Sequence, residues 1–342
     1  MSFEKYIRGF GSKRILVIGD VMLDRFIWGH VSRISPEAPV PVVTVEKEEV
    51  YSGGAANVAR NLVPFAQEVH MAGQVGRDPD GELLLEILAA GGIDASGVLC
   101  SQRTETTTKT RVVARKQQVV RFDRERIKKI TSDQVNQVKR FVLGRCPELD
   151  GLIISDYGKG FITQELMDAI IPIARSARLV VTVDPNPKNP LKWSGVTAIK
   201  PNRAEAFREV GIEEDHWHPH SDPLKDEVLV RVGQELLERW GTEIVQITLG
   251  EQGMILFERG SKPHYIPTVA QEVFDVSGAG DTAIALFTLA LTAGASPVEA
   301  AQISNHASGV VVGKLGTATL TPQELLQSMN ERLIGEAATS RY

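Results

Sequence analysis

Short apolar runs alternate with amphipathic stretches along most of this chain. Arg14–Gly19 (Arg-Ile-Leu-Val-Ile-Gly) is almost wholly apolar and ends on glycine, the pattern of a strand buried on both faces. Similar runs recur at Leu152–Ser155, Leu179–Asp184, Thr197–Lys200 and Val245–Thr248. Helical periodicity fills Asp80–Ala90, Ser132–Leu143, Gln164–Ser176 and Glu227–Trp240. This alternation predicts an α/β fold: a mostly parallel central sheet with helices on both faces. In such sheets ligands gather at the carboxyl ends of the strands. Polar residues cluster just past several of the runs, at Asp20, Asp24, Asp156, Asp184, Asn202 and Gly250.

Two segments break the rhythm. Val40–Val50 alternates like an exposed strand, and Thr106–Asp123 reads as an antiparallel hairpin turning around Ala114–Gln117. Together they predict a small β-sheet projecting as a lid over the strand ends. There is no internal repeat or low-complexity tract, and the residues after Leu333 are expected to fray.

Composition narrows the partners. At 342 residues the chain can bury a large core. A net charge of −5 argues against a non-specific nucleic-acid binder. The two cysteines, Cys100 and Cys146, lack paired spacing, so neither a disulfide framework nor a structural zinc site is expected; they read as buried or inert thiols. The opening residues show no signal-peptide pattern, and no apolar run is long enough to span a bilayer. These features predict a cytoplasmic protein that does not enter the membrane.

The strongest chemical signal is Asp275-Val-Ser-Gly-Ala-Gly-Asp281, followed at once by the apolar stretch Thr282–Leu291. Small residues at Ser277, Gly278, Ala279 and Gly280 let the backbone turn tightly into a helix. The free N–H groups and positive dipole end there form an anion site. Asp281 beside it is suited to take a proton from a hydroxyl next to a bound phosphate, which suggests phosphoryl transfer to an alcohol. No Gly-Lys-Ser/Thr follows, so this is not a Walker A loop. Its late position and missing third glycine also speak against a dinucleotide fingerprint.

Other segments add to it, each with a plainer alternative. Ser52-Gly-Gly-Ala-Ala-Asn57 opens a helix where Gly53 and Gly54 admit a ligand to the backbone and Asn57 can bond sugar hydroxyls; it could equally be an ordinary glycine-rich helix start. In Lys200-Pro-Asn-Arg-Ala-Glu205, Asn202 and Glu205 face the same way in a first helical turn. They could hold the water shell of Mg²⁺, or cap the helix, or both. Thr248-Leu-Gly-Glu-Gln-Gly253 reads as a turn between strands, beside a nucleotide or merely connecting. His216-Trp-His-Pro-His220 invites a metal reading that Pro219 and the acidic surroundings oppose in favour of a surface loop. The tryptophans at 28, 193, 217 and 240 read as core or lid packing.

With these motifs in this order, the chain resembles the ribokinase-like (PfkB) carbohydrate kinases from about Arg14 to Leu333. Within that family, Gly19-Asp-Val-Met-Leu-Asp24, Ser32-Arg-Ile-Ser-Pro-Glu-Ala-Pro-Val-Pro41, Gly53-Gly-Ala-Ala-Asn-Val-Ala59 and Ser155-Asp-Tyr-Gly-Lys-Gly160 are similar to the D-glycero-β-D-manno-heptose 7-phosphate kinases. Asp184-Pro-Asn-Pro-Lys188 departs from their common Asp-Pro-Lys-Gly.

The resemblance implies a ribokinase-like fold with a kinase domain over residues 1–335, lid segments at about 25–50 and 104–124, and a frayed tail at 336–342. It implies ATP-dependent phosphorylation of the anomeric hydroxyl of heptose 7-phosphate, in ADP-heptose synthesis, by the kinase half alone of a function often fused to a nucleotidyltransferase. Asp281 would be the base, and the amides of Gly278, Ala279, Gly280 and Asp281 the anion hole. Asp24, Gly53, Gly54 and Asn57 match sugar-contacting positions, with Asp156 beside them. Asn202 and Glu205 match the Mg²⁺–phosphate motif. Thr248, Gly250, Gly253, Asn305 and Gly316 match the nucleotide region. Asp275 and Ser277 are compatible with a monovalent cation such as K⁺. Arg111 and Arg121 fall where phosphosugar-using relatives place arginines, with Lys109, Arg33 and Lys159 as further candidates; solvated lid charges are the alternative. Lid sheets of such kinases often pair between subunits, so a homodimer is expected. The competing expectations are a kinase for another sugar (fructose, fructose 6-phosphate or ribose) and a silent sugar-binding module.

Overall fold

The computed structural model describes residues 3–115, 117–213, 222–270, 273–314 and 316–339, the last nine by their backbone only. The His216–His220 run and Trp217 lie outside the described residues. The first strand, β1 (Arg14–Gly19), is buried almost throughout, as its apolar run requires. β2 (Val21–Ile34) and β3 (Pro41–Gly54) follow, then helix α2 (Ala55–Leu62), after the short N-terminal α1 (Glu4–Phe10). Next come β4 (Glu68–Gly76), α3 (Pro79–Ala90), β5 (Ile93–Ser101), and the hairpin β6 (Thr108–Ala114) and β7 (Gln117–Arg124). The chain continues through α4 (Ser132–Arg145), β8 (Gly151–Ser155), α5 (Gln164–Ser176), β9 (Val180–Asp184), β10 (Ala198–Ile199), α6 (Arg203–Val210) and α7 (Glu227–Trp240). It closes with β11 (Ile244–Thr248), β12 (Met254–Glu258), β13 (His264–Ile266), α8 (Ala279–Thr292), α9 (Pro297–Val312) and α10 (Pro322–Thr339), the last running through most of the segment expected to fray.

A nine-stranded sheet runs in the order β13-β12-β11-β10-β9-β8-β1-β4-β5. The pairs from β11 across to β5 are parallel, and β12 and β13 add antiparallel strands at one edge. From β1 the chain winds one way through β4 and β5, then returns to β8 on the other side. The β1–β8 junction is therefore the switch point at which sheets of this kind open a crevice.

Side chains alternate across the sheet and build two cores. Ile15 and Val17 pack with α2, α8 and α9, whereas Leu16 and Ile18 pack with α4, α5 and α7. Helix α8 is buried at every position from Asp281 to Ala290, which explains a sequence apolar on all sides. Trp193 and Trp240 are core residues. Cys146 is buried, whereas Cys100 is exposed near the end of β5.

The second sheet, β3-β2-β6-β7, carries the projecting strands. It is longer than the polarity pattern suggested. β2 leaves β1 after a single residue and pairs with β3 from Val21↔Gly54 out to Ile34↔Pro41. Trp28 belongs to this sheet, stacked on Phe26 with ring centroids 5.7 Å apart. The sheet's inner end thus sits over the β1–β8 junction, and its outer end projects from the body.

Candidate active site

Four parallel strands release their chains at the same edge of the large sheet. Asp20 follows β1, Asp156 and Tyr157 follow β8, Asp184 ends β9 and Lys200 follows β10. Facing them, α8 begins at Gly278, whose left-handed φ of 84° turns the backbone into the helix. A side chain at Gly278 would also meet Asn57 Nδ2 at 2.9 Å, so this position admits no β-carbon without displacement.

Asp281, in the first turn of α8, is buried. Asn57 Nδ2 donates to its Oδ2 at 2.7 Å, and the Tyr157 hydroxyl donates to its Oδ1 at 2.5 Å. Burial pushes its carboxyl up to about 6; these two bonds and Lys200 pull it down while Asp184 adds to the rise. A carboxylate so placed is ionised near neutrality and basic enough to accept a proton.

Helix α2 fastens this end of α8. Asn57, Arg60 and Asn61 share one face of it. Asn61 Oδ1 accepts from Thr282 Oγ1 at 2.9 Å, and the Arg60 guanidinium donates to the Thr317 carbonyl. Asn57 Oδ1 is buried with no partner among the described residues, leaving an acceptor unsatisfied beside Asp281.

Lys200 is buried, with Nζ 3.1 Å from Asp184 Oδ1. Burial opposes its charge, yet Asp184, Glu205 and Asp281 outweigh that and raise its pKa. A side-chain carbon at Gly280 would lie 3.6 Å from Nζ, so this ammonium reinforces the positive end of α8. Of the helix-start amides expected to form an anion hole, that of Ala279 is turned back onto the Val276 carbonyl at 3.2 Å. Those of Gly280 and Asp281 belong to the first turn, which has no carbonyl of its own to bond them.

The β8 loop is tied down by acids. Asp20 accepts from the amides of Tyr157, Lys159 and Phe161 at 2.9–3.0 Å. Asp156 is buried but accepts from the Gly158 amide and Asn189 Nδ2, both at 2.8 Å, so it organises the loop. Burial and the charge of Asp20 push it up to about 7.

On the inner end of the small sheet, Asp24 is buried and paired with Arg111, whose guanidinium also lies over the Phe26 ring. Gly53 pairs with Met22 on the neighbouring strand, and a β-carbon there would meet Asp24 Oδ2 at 2.2 Å. Gly54 caps α2. Lys109 sits over the Tyr157 ring at 5.5 Å, its pKa lowered by burial and by the neighbouring Lys159 and Arg111, despite Asp24. Lys159 pairs with Glu125. Arg121 lies directly across from Arg111, half exposed and bound to Asp123. Arg33 is exposed near the outer end of β2, nine residues beyond Asp24 or about 30 Å of strand, so the fold does not bring it to Asp281 within one chain.

A separate cavity of about 530 Å³ opens beside the α8 start. Thr248, Gly250, Gly253, Gly280 and Asn305 line it, with an apolar wall that includes Val276 and Val312. Asn305 Nδ2 donates to the Pro267 carbonyl at 2.7 Å. Gly316 follows α9 with φ 71°, next to Thr317. Asn202 and Glu205 close a reciprocal capping box on α6 at 2.9 and 2.8 Å, the plainer of their alternatives. Among the described residues no group of three or more His, Cys, Asp or Glu could hold a metal ion. Asp275 Oδ1 accepts from the Ser277 amide at 2.8 Å in the turn entering α8.

From sequence, Asp20 was placed only among the polar residues past the strand ends, Tyr157 and Lys200 stood inside quoted motifs with no role of their own, and Arg60 was not singled out. A signal existed for Lys200, because a lysine closing a buried strand must find a counter-charge. Tyr157 had none, since its position opposite Asp281 depends on the fold.

Comparison with known proteins agrees with this architecture. A family model described as pfkB family carbohydrate kinase matches residues 12–324. The Bifunctional protein HldE of Desulfatibacillum aliphaticivorans is 43% identical over 330 residues, covering 96% of this chain. The chain spans 65% of that relative's length, under two thirds. Among solved structures, Arabidopsis thaliana ribokinase complexed with ribose and ATP superposes with a TM-score of 0.70 at 17% identity, covering 93% of this chain and 98% of that one. Phosphofructokinase-2 from Escherichia coli in complex with potassium gives 0.72 at 18% identity, covering 92% and 97%. The expected ribokinase-like fold, with its mostly parallel sheet and separate small sheet, is what these neighbours share. Among the described residues no helix is long and apolar enough to cross a membrane.

Proposed function

Because the chain belongs to the pfkB family of carbohydrate kinases, ATP-using phosphotransferases whose acceptor is a sugar hydroxyl, we propose that it phosphorylates the anomeric oxygen of a heptose 7-phosphate. The observation that carries the chemistry is Asp281, buried at the start of α8 and held by Asn57 and Tyr157 beside the glycine-lined cavity. The acceptor oxygen attacks the γ-phosphorus as the bond from that phosphorus to the β-bridging oxygen breaks. The acceptor proton passes to Asp281, and ADP leaves. The amides of Gly278, Gly280 and Asp281 and the ammonium of Lys200 offset the negative charge on the transferring group, so positioning and electrostatics supply the rate.

Thr248, Gly250, Gly253, Asn305 and Gly316 are the residues proposed to border the nucleotide. Mg²⁺ would neutralise the β- and γ-phosphate oxygens when bound. The Asn202–Glu205 cap uses Oε2 of Glu205, so a water-mediated contact is the role compatible with it. Asp275 and Ser277 remain candidates for a K⁺ site, tested by activity in potassium against sodium buffers.

Asp24, Gly53, Gly54 and Asn57 are the residues proposed to contact the sugar, Asn57 being the one bonded to Asp281. The cations Lys109, Arg111 and Lys159 support a phosphorylated acceptor: Arg111 and Lys159 already pair with Asp24 and Glu125, but burial and these two neighbouring cations oppose the charge of Lys109, which an anion would stabilise. Arg121 would contribute from the rim. Support for heptose comes from the sequence segments described above and from the likeness to the Bifunctional protein HldE. A substrate panel tests this reading: strong preference for an unphosphorylated sugar, or for fructose 6-phosphate, would refute it. Exposed apolar residues on the small sheet, including Ile34, Val45, Val120 and Phe122, support a homodimer through that sheet. Light scattering showing a monomer at working concentration would contradict it.

A further inference from the structure

We propose that Tyr157 is a positioning residue that sets the proton affinity and orientation of Asp281 through its hydroxyl, a role that rests on Asp281 being the base. The bond is 2.5 Å long, and Tyr157 is anchored at both ends of its reach. Its amide is fixed by Asp20, and the Lys109 ammonium on β6 covers its ring. Burial, then the charges of Asp281, Asp184 and Asp24, hold the phenol's pKa well above its ordinary value, so Tyr157 stays protonated and can only donate to Asp281. With Asn57 on the other oxygen, the carboxylate is fixed by donors from two separate elements, the β8 loop and α2.

Donation to the charged form favours ionisation and opposes what burial does to the same carboxyl. The other groups facing it are Arg60 on α2, Asp184 at the end of β9 and Lys200 after β10, with Asp24 on β2 beyond the phenol. Arg60 and Lys200 favour the carboxylate, whereas Asp184 disfavours it. Tyr157 is the neutral donor among them, so removing it changes no charge. Loss of the bond leaves Asp281 easier to protonate, and a base that must be ionised then fails at a higher pH. Tyr157 also links the lid row to the base, because the same ring lies under Lys109.

The test is Tyr157→Phe, which keeps the ring beneath Lys109 and removes only the oxygen. The acid limb of kcat/KM should move upward by about one pH unit, so that well below the limb activity falls about tenfold relative to wild type. At alkaline pH the loss should be much smaller. A profile lowered evenly, with its acid limb unmoved, would overturn the proposal. A second measurement does not depend on turnover. Carbon NMR of protein carrying labelled aspartate, with the Asp281 resonance assigned by Asp281→Asn, should show Asp281 titrating higher in Tyr157→Phe; an unchanged midpoint overturns it. In wild type alone, a downfield hydroxyl proton lost in Asp281→Ala is expected, and its absence would count against the bond. If Asp281→Asn retains turnover the base assignment falls, while the NMR titration still decides the Tyr157–Asp281 bond.

Discussion

Lys200→Met is the perturbation whose size follows most directly from the geometry. The ammonium is 3.1 Å from Asp184 Oδ1, and the relative exposures of the two side chains are 4% and 18%. Removing one partner of such a pair strands the other as a buried charge, which costs about 3–5 kcal/mol. The pH dependence identifies the cause. Burial already holds Asp184 at about 6 in the folded protein, against the ordinary 3.8 expected when unfolded. A carboxyl whose folded pKa is raised takes up its proton first in the native state. Its charge therefore costs stability above the folded pKa, and that cost is relieved as pH falls towards the unfolded value. Loss of Lys200 raises the folded pKa further, each unit being worth about 1.4 kcal/mol. Urea unfolding should thus show the full penalty near pH 8 and a penalty smaller by at least ~1–2 kcal/mol near pH 5. An equal penalty at both pH values, or one below ~1 kcal/mol, would refute the buried-pair reading. Turnover should also drop at pH 8, because the same ammonium sits beside Gly280.

Three further outcomes can be checked. In wild type, kcat/KM should fall as pH drops through about 6, where Asp281 takes up a proton and ceases to act as base; a flat profile down to about pH 5 would contradict this. Gly278→Ala should destabilise the protein by ~1–2 kcal/mol, from its positive φ and the 2.9 Å approach to Asn57 Nδ2, and lower kcat because Asn57 holds Asp281; unchanged melting and turnover would count against that geometry. Glu205→Ala should cost ~1 kcal/mol by opening the capping box. A rise in KM for Mg-ATP beyond that loss would separate the metal-shell role from the cap.

Much of the frame could be read from the chain because buried parallel strands are apolar runs and their helices carry a clear period. Arg14–Gly19, Leu152–Ser155 and Gln164–Ser176 are examples, and Asp281 announced itself through the small residues before it. The length of β2 could not be read, since a strand over the junction mixes buried Asp24 with exposed Arg33 and has no single period. The partners of the lid cations were also hidden. Whether Arg111 meets Asp24 or Lys159 meets Glu125 depends on register and loop course, which spacing along the chain does not encode. Tyr157 shows the limit most clearly: 124 residues separate it from Asp281, and only the meeting of β8 with α8 brings them together.

The most direct measurement is phosphorus NMR of the product formed by purified protein from D-glycero-β-D-manno-heptose 7-phosphate, ATP and Mg²⁺. The expected product carries a second phosphate on the anomeric carbon and forms with stoichiometric ADP, and Asp281→Asn should yield none. A phosphate at another carbon, or undiminished product from Asp281→Asn, would contradict it.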